Sequence, residues 1–356
     1  MTELMKRCIL LLLLIGLPLA TSFATVLTVS NGKIKAQYVQ ITEAITAATD
    51  GDTIYVHASP TNYSDITVNK QLVIIGAGHR QLLDEGATST HTAFVNRINF
   101  NTTGSGTTLL GMDIGHFRAN WVHAASGLSI LRCRIRGTSN SYISYQASAT
   151  GGLVEGCRID NNLWYHPGGG NVEGFQFTNN VFGKGATLRF ESRHDVIVTN
   201  NVFLGDFDAP TDLNNSTLQG VVFSDNIIYG RKLNTSATEN FFTNNIIYTS
   251  GLTAIWDGNF NVNNSNKFVD PLFVNLPADT DGNWSYDYDL SLQANSPGKG
   301  TGTDGQSDVG LRPTFNKSGT PYIPQLISFE LLTPNVAQDG EVRFRIKARS
   351  ENAGEF

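Results

Sequence analysis

The chain has 356 residues, a formal net charge of −6 and only 16% charged residues against 40% hydrophobic ones. A mildly acidic chain without a basic cluster excludes nucleic acid as the expected partner. Its length exceeds what one hydrophobic core usually organises, which favours a repeat architecture whose units pack only on their neighbours.

The first residues read as an address rather than as fold. Lys6 and Arg7 precede an apolar run from Ile9 to Leu19, and Ser22-Phe23-Ala24 offers small residues where a signal peptidase cuts. Residues 1–24 are therefore expected to be a secretory signal, and the protein to be secreted or held at the cell surface. The run is well short of the roughly 20 apolar residues that a membrane span needs. Loss of Lys6, Arg7 and Glu3 would move the net charge from −6 to −7. Cys8 leaves with the leader, and Cys133 and Cys157 occupy the same place in adjacent repeats. They are expected as stacked buried thiols, although secretion would permit a disulfide between them.

Val26-Leu27-Thr28-Val29 reads as a first strand. From Val39 to Thr49 the apolar residues Val39, Ile41, Ala44, Ile45 and Ala48 have helical spacing, and a helix here would cover the open end of a solenoid. Asp50-Gly51-Asp52 then turns the chain into Thr53-Ile54-Tyr55-Val56, a strand, followed by strands around Ile66 and Val73. The pieces Gly51-Asp52-Thr53-Ile54-Tyr55-Val56, Tyr63-Ser64-Asp65 and Ile75-Gly76-Ala77-Gly78 resemble the start of secreted bacterial right-handed parallel β-helix proteins, the pectate-lyase-like superfamily, whose members often carry Glu where this chain has Asp65.

A phrase then repeats: Phe177-Thr178-Asn179-Asn180-Val181-Phe182 returns at Val198–Phe203, Phe223–Ile228 and Phe242–Ile247, with looser copies ending at Ile114, Ile135 and Ile159. Anchored on Met112, Cys133, Cys157, Asn180, Asn201, Asn226 and Asn245, the spacings are 21, 24, 23, 21, 25 and 19 residues. Each interval holds three short strands, for example Leu128–Leu131, Arg134–Arg136 and Tyr142–Gln146, and helical periodicity is absent. This predicts an all-β right-handed parallel β-helix, with coils stacked at about 4.8 Å. In each double-Asn corner the first residue (Gly111, Gly156, Asn179, Asn200, Asp225 or Asn244) tolerates left-handed angles, with Arg132 as an unexplained exception. The second position holds Asn180, Asn201, Asn226 and Asn245, or Cys133 and Cys157, and is read as an inward-facing structural ladder.

Beyond Tyr248, the pieces Asp270-Pro271-Leu272-Phe273, Asp289-Leu290-Ser291-Leu292, Ser296-Pro297-Gly298-Lys299-Gly300 and Ser307-Asp308-Val309-Gly310 resemble the closing segment of the same β-helix proteins. The β-helix with its caps is assigned to residues 25–312, a proline-bearing linker to 313–324, and a strand pair, expected as an attachment or interaction element, to 325–356.

Chemistry is expected on the third strand of each coil, where stacking would align Trp121, His123, Tyr142, Tyr145, Trp164, Tyr165, His166, Arg189, Glu191, Arg193, His194, Trp256 and Asp257 into a stripe. Aromatics beside charged and imidazole groups suit carbohydrate, whose rings present apolar faces and polar edges. Two cleavage schemes stay open. A lyase would use Arg189 and Arg193 with His194 or His166 to remove a proton beside a uronate carboxylate and stabilise the anion. A hydrolase would pair carboxylates such as Glu191, Asp206, Asp208 and Asp212. Asp279-Thr280-Asp281-Gly282-Asn283 and Asp206-Phe207-Asp208 are weak calcium candidates, and no other cofactor is called for. An EF-hand is excluded, because its frame would put Pro277 and Tyr288 at positions that need carboxylates. The expectation is thus a polysaccharide-binding β-helix with an open question of cleavage. The rival is a non-catalytic adhesin or envelope protein, a choice that fold alone does not make.

Overall fold

The structure, a computed structural model, describes residues 24–79, 81–82, 88–89, 91–116, 125–137, 142–144, 150–160, 163–166, 173–190, 195–205, 220–231, 239–249, 262–277, 282–283, 285–320, 325–332 and 343–349. It is an all-β parallel solenoid. One coil runs through the strands Leu128–Leu131, Arg134–Ile135 and Tyr142–Ser144, and the next begins at Thr150–Glu155. Equivalent strands pair in parallel register to build sheets of eleven, nine and three strands among the described residues. A seven-residue helix, Ile41–Ala47, caps the first coil, burying Ile41, Ala44 and Ile45. Its start is fixed by Glu43, whose carboxylate accepts the Gln40 backbone N–H at 3.1 Å. Asp52, in the turn that follows, accepts the N–H and hydroxyl groups of both Thr25 and Thr49, which hold its carboxyl well below the usual carboxylate range.

Alternation places every second residue of each strand inside. In the eleven-stranded sheet the interior column runs Leu27, Ile54, Ile74, Leu109, Ile130, Val154, Phe177, Val198, Phe223, Phe242, and each of these is in register with the next. Phe182 stacks on Phe203 at 4.5 Å, and Phe223 on Phe242 at 5.1 Å.

At the corner between the two large sheets the second Asn of each pair is fully buried and joined to the next. Asn180 Nδ2 donates to Asn201 Oδ1 at 2.9 Å, Asn201 to Asn226 at 3.0 Å, and Asn226 to Asn245 at 3.0 Å. Each oxygen also takes the backbone N–H of the preceding rung, and each amide also donates to a main-chain carbonyl, as Asn201 does to Phe177 O. The column runs further than its Asn pairs. Asn245 donates to Asn266 Oδ1, and at the other end Asn180 Oδ1 accepts Cys157 N–H. Cys157 Sγ then accepts Cys133 N–H at 3.3 Å, so the two free, buried thiols act as rungs.

The first residue of each pair has a left-handed backbone, with φ between 52° and 57° at Arg132, Asn179, Asn200, Asp225 and Asn244. The structure explains why these are not all glycine. Residues 301–320 run back along the corner, and these side chains hold them. Asn244 Nδ2 donates to Thr301 O and Asp225 accepts Thr303 N–H. Asn200 Oδ1 accepts from Arg312 Nε and Asn179 Oδ1 from Arg312 N–H. Arg132 donates from its two terminal nitrogens to Thr320 O at 3.0 Å and Thr314 O at 3.2 Å. The exception in the sequence pattern is therefore the clamp for the far end of the strap, where Gly319 is pressed against Arg132 O. Residues 313–320 of the expected linker lie in this strap.

The same C-terminal segment covers half of the nine-stranded sheet. Outward positions there form a register column Asp113, Arg134, Arg158, Val181, Val202, Ile227, Ile246, which changes from charged to aliphatic along its length. Phe273, Leu290, Leu292 and Val309 bury the aliphatic part. Gly310 (φ 91°) lies against the Ile227 side chain with no room for a Cβ, which accounts for the glycine after Asp308-Val309.

Asn201→Ala should lower stability by roughly 3 kcal/mol, because it orphans the donors of Asn180 and the acceptors at Asn226 and Phe177 in a dry interior. Asn201→Cys should cost less, since sulfur already serves this position at Cys157. Urea unfolding midpoints check both, and equal losses would contradict the ladder. Gly310→Ala should cost at least about 1 kcal/mol by the same measurement, through its left-handed backbone and the contact with Ile227.

Candidate functional site

Of the residues expected in the third-strand stripe, backbone placement covers Tyr142, Trp164, Tyr165, His166 and Arg189. The strands Tyr142–Ser144, Leu163–His166 and Thr187–Phe190 pair in parallel, aligning Trp164 with Leu188, Tyr165 with Arg189 and His166 with Phe190. Trp121, His123, Tyr145, Glu191, Arg193, His194, Asp206, Asp208, Asp212, Trp256 and Asp257 lie outside the described residues, as do Asp279 to Asp281 of the calcium-like loop. Among the described residues no three His, Cys, Asp or Glu side chains are grouped to hold a metal ion.

With the second half of the nine-stranded sheet covered, the outer face of the eleven-stranded sheet carries exposed residues among those described. Its second half carries two parallel columns. One is apolar: Ile197, Val222, Phe241 and Val262 are in register, with Ile197 36%, Phe241 50% and Val262 48% exposed. Beside it runs a column of hydroxyl and amide groups, Thr178, Thr199, Ser224, Thr243 and Asn264. Ser224 Oγ donates to Thr199 Oγ1 at 3.2 Å, so neighbouring coils link their hydroxyls along the axis. The repeated phrase encodes both columns. The residue before each Asn pair is the hydroxyl, and two residues earlier stands the apolar one at Ile197, Val222 and Phe241, with Gln176 in that place on the first coil and the interior residue between them. Alternation contained this signal, but the louder aromatic and charged third strand drew the functional assignment instead.

The charged half of the covered sheet is a packed network. Asp113, fully buried, accepts Arg136 Nε at 2.8 Å and Thr92 Oγ1 at 3.0 Å. Arg134 and Arg158 share the two oxygens of Asp160. Arg158 lies 5.0 Å over the Tyr286 ring, and the Tyr286 hydroxyl meets His79 Nδ1 at 2.7 Å. Burial, reinforced by the three arginine charges, pushes His79 well below its ordinary range, so its ring is neutral. Burial likewise raises Tyr286. The network grips the closing segment through Tyr286 rather than presenting a reactive group to solvent.

No family model matches the chain, and no curated protein matches it. Among solved structures, the pectin methylesterase from Aspergillus niger matches with a TM-score of 0.30 and 12% identity, over 76% of this chain and 93% of that one. At that score the likeness carries no argument about activity.

His79 sets an acid limit. Its folded-state pKa lies below the unfolded value of 6.5, so the unfolded chain binds the extra proton first. Stability is then fully present above pH 6.5 and is lost progressively as pH falls below it. The thermal midpoint should drop between pH 6.5 and 5, and His79→Gln should flatten most of that slope. A residual slope is expected from His57, also depressed by burial. An unchanged slope in the variant would refute this role.

Proposed function

We propose that this protein binds polysaccharide along the open face of its eleven-stranded sheet. The observation that carries this reading is the pair of parallel columns, apolar Ile197-Val222-Phe241-Val262 beside hydrogen-bonding Thr199-Ser224-Thr243-Asn264. A surface that repeats an apolar and a hydrogen-bonding element at every strand spacing of about 4.8 Å is matched by a polymer that does the same. Sugar rings offer apolar C–H faces and hydroxyl edges in that alternation. An exposed apolar row of this length is also more than scattered surface hydrophobics supply. Secretion through residues 1–24, the division into a β-helix over 25–312, a following connection and a strand pair over 325–356, and attachment through that pair belong to the same proposal. Lyase or hydrolase chemistry would fall to Arg189, Glu191, Arg193, His194, Asp206 and Asp208. It is not needed for binding.

Affinity gels containing uronate-bearing and neutral polysaccharides test the reading, with absorbance of unsaturated products and reducing-end release followed in parallel. Retardation by at least one polysaccharide is expected. Phe241→Ser should weaken it by about fivefold to tenfold, the usual cost of losing a central anchor. No retardation by any member of the panel, or an unchanged Phe241→Ser protein, would overturn the proposal.

A further inference from the structure

The closing segment lines an open pocket of about 430 Å³ whose residues belong neither to the outer face of the eleven-stranded sheet nor to the charged network. Its apolar walls come from Tyr288, Leu290, Leu311, Pro313 and Phe315, and its cations are Lys299, Arg312 and Lys317, against Asp289 and Asp308. Three positive charges face two negative ones.

The existing hydrogen bonds decide what such a pocket can still recognise. Asp308 is fully used, taking Lys299 Nζ on one oxygen and Gly300 N–H on the other, each at 2.8 Å. Asp289 Oδ1 already accepts both the N–H and the hydroxyl of Ser291. Asp289 Oδ2 is thus the one carboxylate oxygen of the lining without a hydrogen bond among the described residues. Donors are more numerous. Arg312 commits its Nε to Asn200 Oδ1, and its two terminal guanidinium nitrogens have no partner among the described residues. Lys317 has no ion pair among the described residues and acts on Asp289 only through its field. A planar guanidinium edge and a nearby ammonium suit a carboxylate, which can be held bidentately. The apolar walls suit a ring attached to it, and the volume lies within the range of small-molecule sites. An inorganic anion would leave Tyr288 and Phe315 unused. A sugar acid would bring several hydroxyls to a lining that leaves a single carboxylate oxygen, Asp289 Oδ2, to meet them.

We propose that this pocket binds a small aromatic carboxylate, its carboxylate on Arg312 and Lys317 and its ring between the apolar walls. The site does not depend on the polysaccharide reading. A ligand here would also rest on Arg312, through which the strap is tied to Asn179 and Asn200.

Isothermal titration of the full chain with benzoate, benzamide, acetate, galacturonate and inorganic phosphate tests this. Benzoate should bind, benzamide and acetate should bind at least about tenfold more weakly, and Lys317→Ala should weaken benzoate several-fold without changing the melting temperature. Arg312→Met, which keeps the main-chain bond to Asn179, should weaken benzoate further, provided the variant's circular dichroism is native. If that variant is unfolded, Lys317→Ala decides alone. Phe241→Ser should leave benzoate binding unchanged, which separates this site from the outer face of the eleven-stranded sheet. Equal affinity for benzoate and benzamide would overturn the proposal. So would galacturonate or phosphate binding as tightly as benzoate, or no benzoate binding.

Discussion

A buried amide left unpaired costs about 1–3 kcal/mol, and one such amide stands at the same corner of successive coils. In water each of these hydrogen bonds is worth only about 0.5–1.5 kcal/mol net, but inside a solenoid the loss of one partner strands several donors and acceptors together. The column from Cys133 through Asn180, Asn201, Asn226 and Asn245 to Asn266 therefore does more than add contacts. It fixes the register of each coil on the next. A one-residue slip would exchange the interior and exterior faces of a strand. With the register fixed, Phe177, Val198, Phe223 and Phe242 point inward and Thr178, Thr199, Ser224 and Thr243 line up outside.

The first residues of the corner pairs show how one local conformation serves a second purpose. Left-handed angles alone would favour glycine, which is what stands at Gly111 and Gly156. Gly111 meets the strap with its backbone alone, against Gly319 O. At Arg132, Asn179, Asn200, Asp225 and Asn244 the chain instead uses a side chain, accepting backbone strain of order 1 kcal/mol in return for hydrogen bonds to residues 301–320. The strap in turn draws Leu290, Leu292 and Val309 onto the aliphatic half of the nine-stranded sheet. Coverage of that sheet leaves the outer face of the eleven-stranded sheet open at Ile197, Phe241 and Val262 and forms the charged, ring-lined pocket. Both binding proposals thus follow from where the closing segment lies.

Much of this was legible from the residues. The repeat at about 20–25 residues, the inward column and the capping helix at residues 39–49 follow from periodicity and from the need to satisfy a buried amide. The closing motifs could be seen but not placed, because Phe273 packs on Tyr229, 44 residues away, and Gly310 on Ile227, 83 residues away, contacts that no local pattern encodes. Arg132 defied the turn chemistry because its reason lies 188 residues along the chain, at Thr320. The change of the outward column from Arg134 and Arg158 to Val181 and Val202 is visible in sequence. Only the fold shows that it marks where Tyr286 gives way to Leu290 and Val309.

Cooperation between the amide column and the strap is tested most directly by amide hydrogen exchange along the chain. The corner N–H groups of Cys157, Asn180, Asn201, Asn226 and Asn245 should be among the slowest to exchange, and those of Thr303, Gly310 and Arg312 should lose protection together with them as denaturant is raised. Exchange of the strap amides at the rate of exposed loops, with the corners still protected, would contradict it.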